Sequence, residues 1–179
     1  MPSEDTFLLL DSIESLSNRI FERTLEIGSG VGIVTEALCK ISREVYAIDI
    51  SRTAILETWR RLKMKGHGGV SHVIEGDLLS MFRETPLFDL IVSNPPYLPQ
   101  ERLDDRTVIG GVEIIKRIIN ASAHLTLPKG IIMIVVSSLT SDLHEIKNHF
   151  MVNGFHPYIK MSRKLFFEEI IIIEAIREC

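Results

Sequence analysis

Thr24-Leu25-Glu26-Ile27-Gly28-Ser29-Gly30-Val31-Gly32 decides the fold. An apolar strand over Thr24 to Ile27 gives way at once to a glycine turn, and a helix is predicted to follow over Val31 to Ile41. Glycines let a backbone come close to a ligand, and the helix N-terminus behind them offers free N–H groups; the alternative is that they only make a tight turn. Outward from this unit the alternation repeats, with Glu44 to Asp49 as strand, Ser51 to Met64 as helix and Ser71 to Glu75 as strand. A βαβαβ order of this kind requires a parallel sheet. It continues with a strand ending at Ser93, a helix from about Glu113 to Ala123 and a strand from Ile131 to Val136. A helix capped by Ser141 or Asp142 then runs to Asn153-Gly154, and the strands Phe155 to Met161 and Lys164 to Ile176 close the chain as a hairpin. The run Ile170 to Ile173 reads as buried strand. Ahead of the first strand, Ser3 or Asp5 caps a helix whose apolar face holds Phe7, Leu8, Ile13 and Leu16.

A chain of 179 residues has room for one domain with a sizeable core, and residues 1–179 are taken as a single domain. With 45% hydrophobic and 25% charged residues the composition is globular, and a net charge of -4 gives no long-range attraction to nucleic acid. Cys39 and Cys179 are too few and too far apart for a disulfide framework or a metal cluster, which points to a reducing compartment, by default the cytoplasm. The six histidines show no metal-ligand spacing with them. The first ten residues carry acids where a signal peptide carries bases, and no apolar run reaches the length of a membrane span.

Four places carry chemistry. In Asp89-Leu90-Ile91-Val92-Ser93-Asn94-Pro95-Pro96-Tyr97 an apolar strand stops in a proline-locked loop, because Pro95 and Pro96 remove two backbone donors. A residue before proline stays extended, which leaves the Asn94 side-chain carbonyl free to face a pocket with the Pro95 carbonyl beside it. Two such acceptors suit a planar NH2 group, with Tyr97 as an aromatic wall or, alternatively, a plug of the core. The glycines Gly28, Gly30 and Gly32 miss the G-x-G-x-x-G spacing of a dinucleotide site, since the third glycine comes one position early. Glu26 also repels a pyrophosphate and favours an ammonium, as in the methionine part of S-adenosylmethionine. Asp49 ends the second strand about twenty residues on, where an acid can accept from both ribose hydroxyls or else cap the next helix. Asp77, in Glu75-Gly76-Asp77-Leu78, can accept from an adenine amino group while Leu78 packs on the ring; its alternative is an ordinary turn aspartate.

Together, Glu-x-Gly-x-Gly-x-Gly, Asp49, Asp77 and Asn94-Pro95-Pro96-Tyr97 resemble the S-adenosylmethionine-dependent methyltransferases that modify planar amino groups. Pro2-Ser3-Glu4-Asp5-Thr6 before a leucine-rich helix narrows the likeness to the HemK-like protein glutamine-N5 methyltransferases, in their archaeal and eukaryotic branch. These modify the Gly-Gly-Gln loop of translation release factors. The resemblance implies a Rossmann-like α/β fold with a seven-stranded, mostly parallel sheet, helices on both faces and the last strand antiparallel. It implies S-adenosylmethionine as cofactor, held by Thr6, Glu26, Gly28, Gly30, Gly32, Asp49, Asp77, Leu78 and Asn94, with Asn94, Pro95, Pro96 and Tyr97 clamping the substrate amide. Gly110-Gly111-Val112-Glu113 is similar to the segment after that clamp, whereas Leu98 to Gly110 matches only loosely. Bacterial members carry an N-terminal docking domain ahead of the core, and this chain starts almost at the core, so docking is expected to fall to a separate subunit. For this branch the resemblance implies a small zinc-binding activator that extends the sheet at Ser71 to Glu75. Two rivals stay open. One is a nucleic-acid exocyclic-amine methyltransferase, for which Arg60, Arg61, Lys63 and Lys65 are the basic cluster, otherwise read as a solvated helix end. The other is a non-catalytic subunit that keeps cofactor affinity.

Overall fold

Side chains on a strand point alternately to opposite faces, so a strand that is apolar throughout must be covered on both sides. The computed structural model describes residues 3–96, 111–140 and 142–179; Tyr97, the segment 98–110 with Gly110, and Ser141 lie outside the described residues. In chain order the elements are α1 (Glu4–Glu14), β1 (Phe21–Ile27), α2 (Ile33–Leu38), β2 (Ser42–Asp49), α3 (Arg52–Met64) and β3 (Ser71–Glu75). They continue with β4 (Phe88–Ser93), α4 (Val112–Ala123), β5 (Thr126–Ser137), α5 (Leu143–Val152), β6 (Phe155–Lys164) and β7 (Glu169–Arg177). The strands form one seven-stranded sheet in the order β3-β2-β1-β4-β5-β7-β6. β1 to β5 are parallel, and β7 runs antiparallel between β5 and β6, so the Rossmann-like expectation holds.

β5 shows how the core is built. Ile132, Ile134 and Val136 pack with Ile115, Ile118 and Ile119 of α4 and Ile146 and Phe150 of α5. The intervening Ile131, Met133 and Val135 pack with Leu8, Leu9 and Ile13 of α1 and Val34 and Leu38 of α2. Each such side chain contributes about 1.5–3 kcal/mol when taken out of water, so a strand of this kind is stable only in the middle of the sheet. Ile170 to Ile173 on β7 are buried for the same reason.

Several boundaries differ from the sequence reading. β1 begins at Phe21, which is buried, so the strand is longer than Thr24 to Ile27. α2 begins at Ile33 because Gly32 has φ +75, a left-handed conformation that no right-handed helix passes through. Phe7 is exposed, and Leu9 takes the inward position on α1. Lys164 belongs to β6 rather than opening β7, since the Leu165 N–H donates to the Glu168 carbonyl at 2.7 Å and closes the hairpin there. Asp142 caps α5, accepting from the His144 N–H at 2.8 Å.

Gly32 is fixed by contact as well as by conformation, because a Cβ there would lie 2.9 Å from the Thr58 Cα. Gly66 has a similar φ of +78 but nothing within 4 Å of such an atom. We expect Gly66→Ala to cost about 1 kcal/mol and Gly32→Ala about 3 kcal/mol, strain plus overpacking, in urea unfolding. Equal losses at the two positions would show that the Thr58 contact has no weight.

Candidate active site

The parallel register brings the carboxyl ends of the strands to one edge. Ile27 pairs with Ile48 on one side and with Ser93 on the other, and Asp49 pairs with Glu75. Ligand crevices in open α/β sheets form at such an edge, where strand connections diverge. Main-chain bonds hold the edge together. The Gly28 and Ser29 N–H groups both donate to the Ile48 carbonyl, at 2.8 and 3.1 Å, and the buried Ser93 hydroxyl donates to the Ile27 carbonyl at 2.9 Å. Asp49 accepts from the Gly30 N–H at 2.9 Å with one oxygen and from the Ser51 N–H at 2.8 Å with the other. Gly28 and Gly30 have φ +82 and +53, and a Cβ on either would meet nothing within 4 Å, so their backbone faces open space.

That space is a cleft of about 840 Å³ lined by Thr6, Glu26, Gly28, Gly30 and Asn94 among others. Glu26, 3% exposed, accepts a hydrogen bond from the Thr35 hydroxyl. Burial pushes its carboxyl up to about 8; the Thr35 bond opposes this and the Asp49 charge adds to it. A cation brought into the cleft would reverse that penalty, because an opposite charge favours the ionised carboxylate. Asn94, which follows β4, also lines the cleft, with its side-chain oxygen buried and without a hydrogen-bond partner among the described residues. A buried acceptor left unpaired costs about 1–3 kcal/mol, so this oxygen is placed for a donor that arrives from outside. Pro95 is buried, whereas Pro96 is exposed and its carbonyl accepts from the Gly111 N–H at 3.2 Å.

Thus the structure gathers Thr6, Glu26, Gly28, Gly30 and Asn94 round one cleft. Gly32 sits just behind it against Thr58, and Asp49 braces the turn from below. Asp77 is exposed and pairs with Arg117 at 3.5 Å, with Leu78 half-buried beside it at φ +49; neither lines this cleft. The basic cluster is not simply a solvated helix end. Arg61 donates to the Val31 carbonyl at 2.7 Å and to Glu36 at 3.1 Å, and Arg60, Arg61 and Lys65 form one rim of the cleft. Sequence reasoning also missed Thr35 and Ser93, whose roles depend on contacts nine and sixty-six residues away.

Comparisons with known proteins identify the family. Residues 5–154 match the family model described as methyltransferase small domain. The chain belongs to that family. A Methanocaldococcus jannaschii protein named for N5-glutamine methyl transfer is 31% identical, over 98% of this chain and 90% of its own length. A release factor glutamine methyltransferase of Rhodopirellula baltica is 27% identical over 94% of the chain, which spans 63% of that longer protein. Among solved structures, the E. cuniculi Mtq2-Trm112 complex, described as methylating the eRF1 translation termination factor, aligns with a TM-score of 0.76 and 27% identity. That alignment covers 99% of this chain and 98% of the other. This methyltransferase has no helix among the described residues that is long and apolar enough to cross a membrane.

The cleft suits S-adenosylmethionine, the cofactor that the resemblance implies: a buried carboxyl for its ammonium and a backbone open enough at Gly28 and Gly30 for close approach. Glu26 gives a test that needs no turnover. Between about pH 4.5 and 8 the folded protein keeps a proton on Glu26 that the unfolded chain has released, so this group makes stability fall as pH rises through that window. Glu26→Gln keeps an acceptor for Thr35 and removes the titration, so at pH 7 the cofactor-free variant should gain roughly 3 kcal/mol over the parent. Urea unfolding near pH 5 and near pH 8 measures it, and a gain that does not grow with pH would overturn the assignment.

Proposed function

We propose that this methyltransferase transfers a methyl group from S-adenosylmethionine to the side-chain amide nitrogen of the glutamine in the Gly-Gly-Gln loop of a translation release factor, within one domain. The observation that carries the reading is the buried, unpartnered Asn94 oxygen in the cleft beside two prolines. A primary amide brings two N–H donors in one plane. Asn94 Oδ1 can take one and the Pro95 carbonyl the other, which fixes the nitrogen and aims its lone pair into the cleft.

Bound S-adenosylmethionine supplies an electrophilic methyl group on a positively charged sulfur. Glu26 would hold its ammonium, Asp49 its ribose hydroxyls and Thr6 its methionine end, and the adenine would have to extend beyond the cleft to meet Asp77 and Leu78. An amide nitrogen is a weak nucleophile because its lone pair is shared with its own carbonyl. Asn94 and Pro95 weaken that sharing by orienting both N–H bonds, and their fixed dipoles favour the positive charge that gathers on nitrogen. No base is needed before transfer, since the amide proton leaves more readily once the nitrogen is alkylated. Tyr97 would pack on the plane of the amide.

Asn94→Ala should leave cofactor affinity within about twofold and lower turnover by about 10²-fold or more, as expected when a group that orients the reacting atoms is lost. Calorimetry and transfer of labelled methyl measure the two. A release factor with its Gly-Gly-Gln glutamine replaced should take no label. Near-normal turnover of Asn94→Ala would reject the clamp, and label passing to nucleic acid instead would assign the rival acceptor.

The reading includes a small zinc-binding activator subunit on β3, an edge strand of the sheet. Val45 N–H donates to the Val70 carbonyl and Gly76 N–H to the Asp49 carbonyl, so by the alternation of a parallel ladder the N–H groups of Ser71, Val73 and Glu75 point to the free edge. Beside them, Leu56 and Trp59 lie exposed on the flank of α3 turned away from the Arg61–Glu36 contact with α2. Edges with apolar neighbours are suited to strand addition. Val73→Pro removes an outward donor and no bond to β2, so it should abolish co-purification of the activator without unfolding the chain. Retained binding by a folded Val73→Pro variant would place the partner elsewhere.

A further inference from the structure

The hairpin between β6 and β7 ends in Phe166 and Phe167, 92% and 83% exposed, with ring centroids 4.6 Å apart at 78°. Two adjacent phenylalanines in water are an unusual use of strongly apolar side chains, and among the described residues neither belongs to a core cluster. The turn is nonetheless firmly held. Leu165 N–H donates to the Glu168 carbonyl at 2.7 Å, Ser138 N–H to the Glu169 carbonyl at 2.9 Å, and Glu169 N–H to the Ser138 hydroxyl at 2.9 Å. Ser162 adds a bond to the Glu169 carboxylate at 2.7 Å. The pair is therefore presented on a braced turn rather than on a frayed end.

Register places this turn relative to the clamp. Ser93 pairs with Ile134, and Ser137, three residues further along β5, pairs with Ile170 at the start of β7. The turn thus projects from the same carboxyl edge of the sheet as Asn94, two strands to the side. At about 3.3 Å per residue and 4.8 Å per strand, it lies roughly 20 Å from the clamp. A small acceptor cannot touch both places at once, but a protein whose loop enters the cleft can.

We infer that Phe166 and Phe167 form a docking point for the body of the acceptor protein, received by an apolar depression on it while its glutamine loop reaches Asn94. The inference rests on the protein-acceptor reading above. Two phenylalanines with rigid support are of the kind that anchor interfaces, contributing area at little conformational cost.

The test replaces both residues, Phe166→Ser with Phe167→Ser, in the full chain with its activator. Initial rates are measured against intact release factor and against a short Gly-Gly-Gln peptide that cannot reach the turn. We expect KM for the intact factor to rise roughly tenfold or more, with turnover, S-adenosylmethionine affinity and peptide methylation unchanged. An unchanged KM for the intact factor overturns the docking point and leaves the acceptor assignment standing. An equal loss on peptide and factor also overturns it, since the variant would then be acting on the cleft. No transfer to the factor by the unaltered enzyme overturns the acceptor assignment, and the docking point with it.

Discussion

β1 is paired on both sides at once, and its register with β2 and β4 is the constraint on which the site depends. Ile27 is level with Ile48 and with Ser93, so the glycine turn, Asp49 and Asn94 leave the sheet at one height. A slip of one residue in either pairing would turn every side chain of that strand to the opposite face. Leu25, Ile27, Leu90 and Val92 are buried on alternate faces beneath different helices, which makes such a slip prohibitive. Local bonds then refine what the register sets. The Ser93 hydroxyl on the Ile27 carbonyl ties the end of β4 to the end of β1, and Asp49 holds the turn at Gly30.

The edge also divides its acids by environment. Asp49 is half-buried, and its two oxygens accept from the main-chain N–H groups of Gly30 and Ser51. Glu26 lies deeper, with a hydroxyl for its partner, and its carboxyl is held near 8. Two neighbouring acids thus differ in their partners, one tied to the main chain of the turn and one buried against a hydroxyl. Asn94 is the neutral counterpart in the same cleft: a buried oxygen with no donor among the described residues. Sites of this kind trade stability for selectivity, because only a ligand that supplies the missing partner removes the penalty.

Much of this was legible in the chain. The alternation of short apolar runs with amphipathic stretches gave all seven strands, since a buried parallel strand can hardly be built from other residues. Gly28, Gly30 and Gly32 announced the turn because all three adopt positive φ, which other residues resist. The ends of elements were less visible. Lys164 and Phe7 are ordinary members of strand and helix patterns, and only the hairpin bond at Leu165 and the packing of Leu9 decide where they go. Contacts between distant positions left no local mark at all. Nothing near Thr35 indicates that it will meet Glu26, and the basic residues of α3 look like any solvated helix end until α2 is packed beside Arg61.

The hairpin turn and the rim of the cofactor cleft are physically linked through Arg163, and the magnitudes decide how tightly. Arg163 on β6 bonds Glu4 at 2.8 Å and Asp11 at 3.0 Å, both on α1, the helix that carries Thr6 to the cleft. These pairs are about a third to a half exposed, where water screens an ion pair and salt weakens it further. The apolar face of α1 is a stronger tether, because Leu8, Leu9 and Ile13 are buried against Val34, Leu38 and β5. Three such side chains contribute several kcal/mol, on the order of 1.5–3 each. α1 would therefore keep its place over the cleft even if a load on the hairpin disturbed Arg163. A load on Phe166 and Phe167 would reach Thr6 through the exposed pairs of Arg163, while the buried face of α1 holds that helix in place.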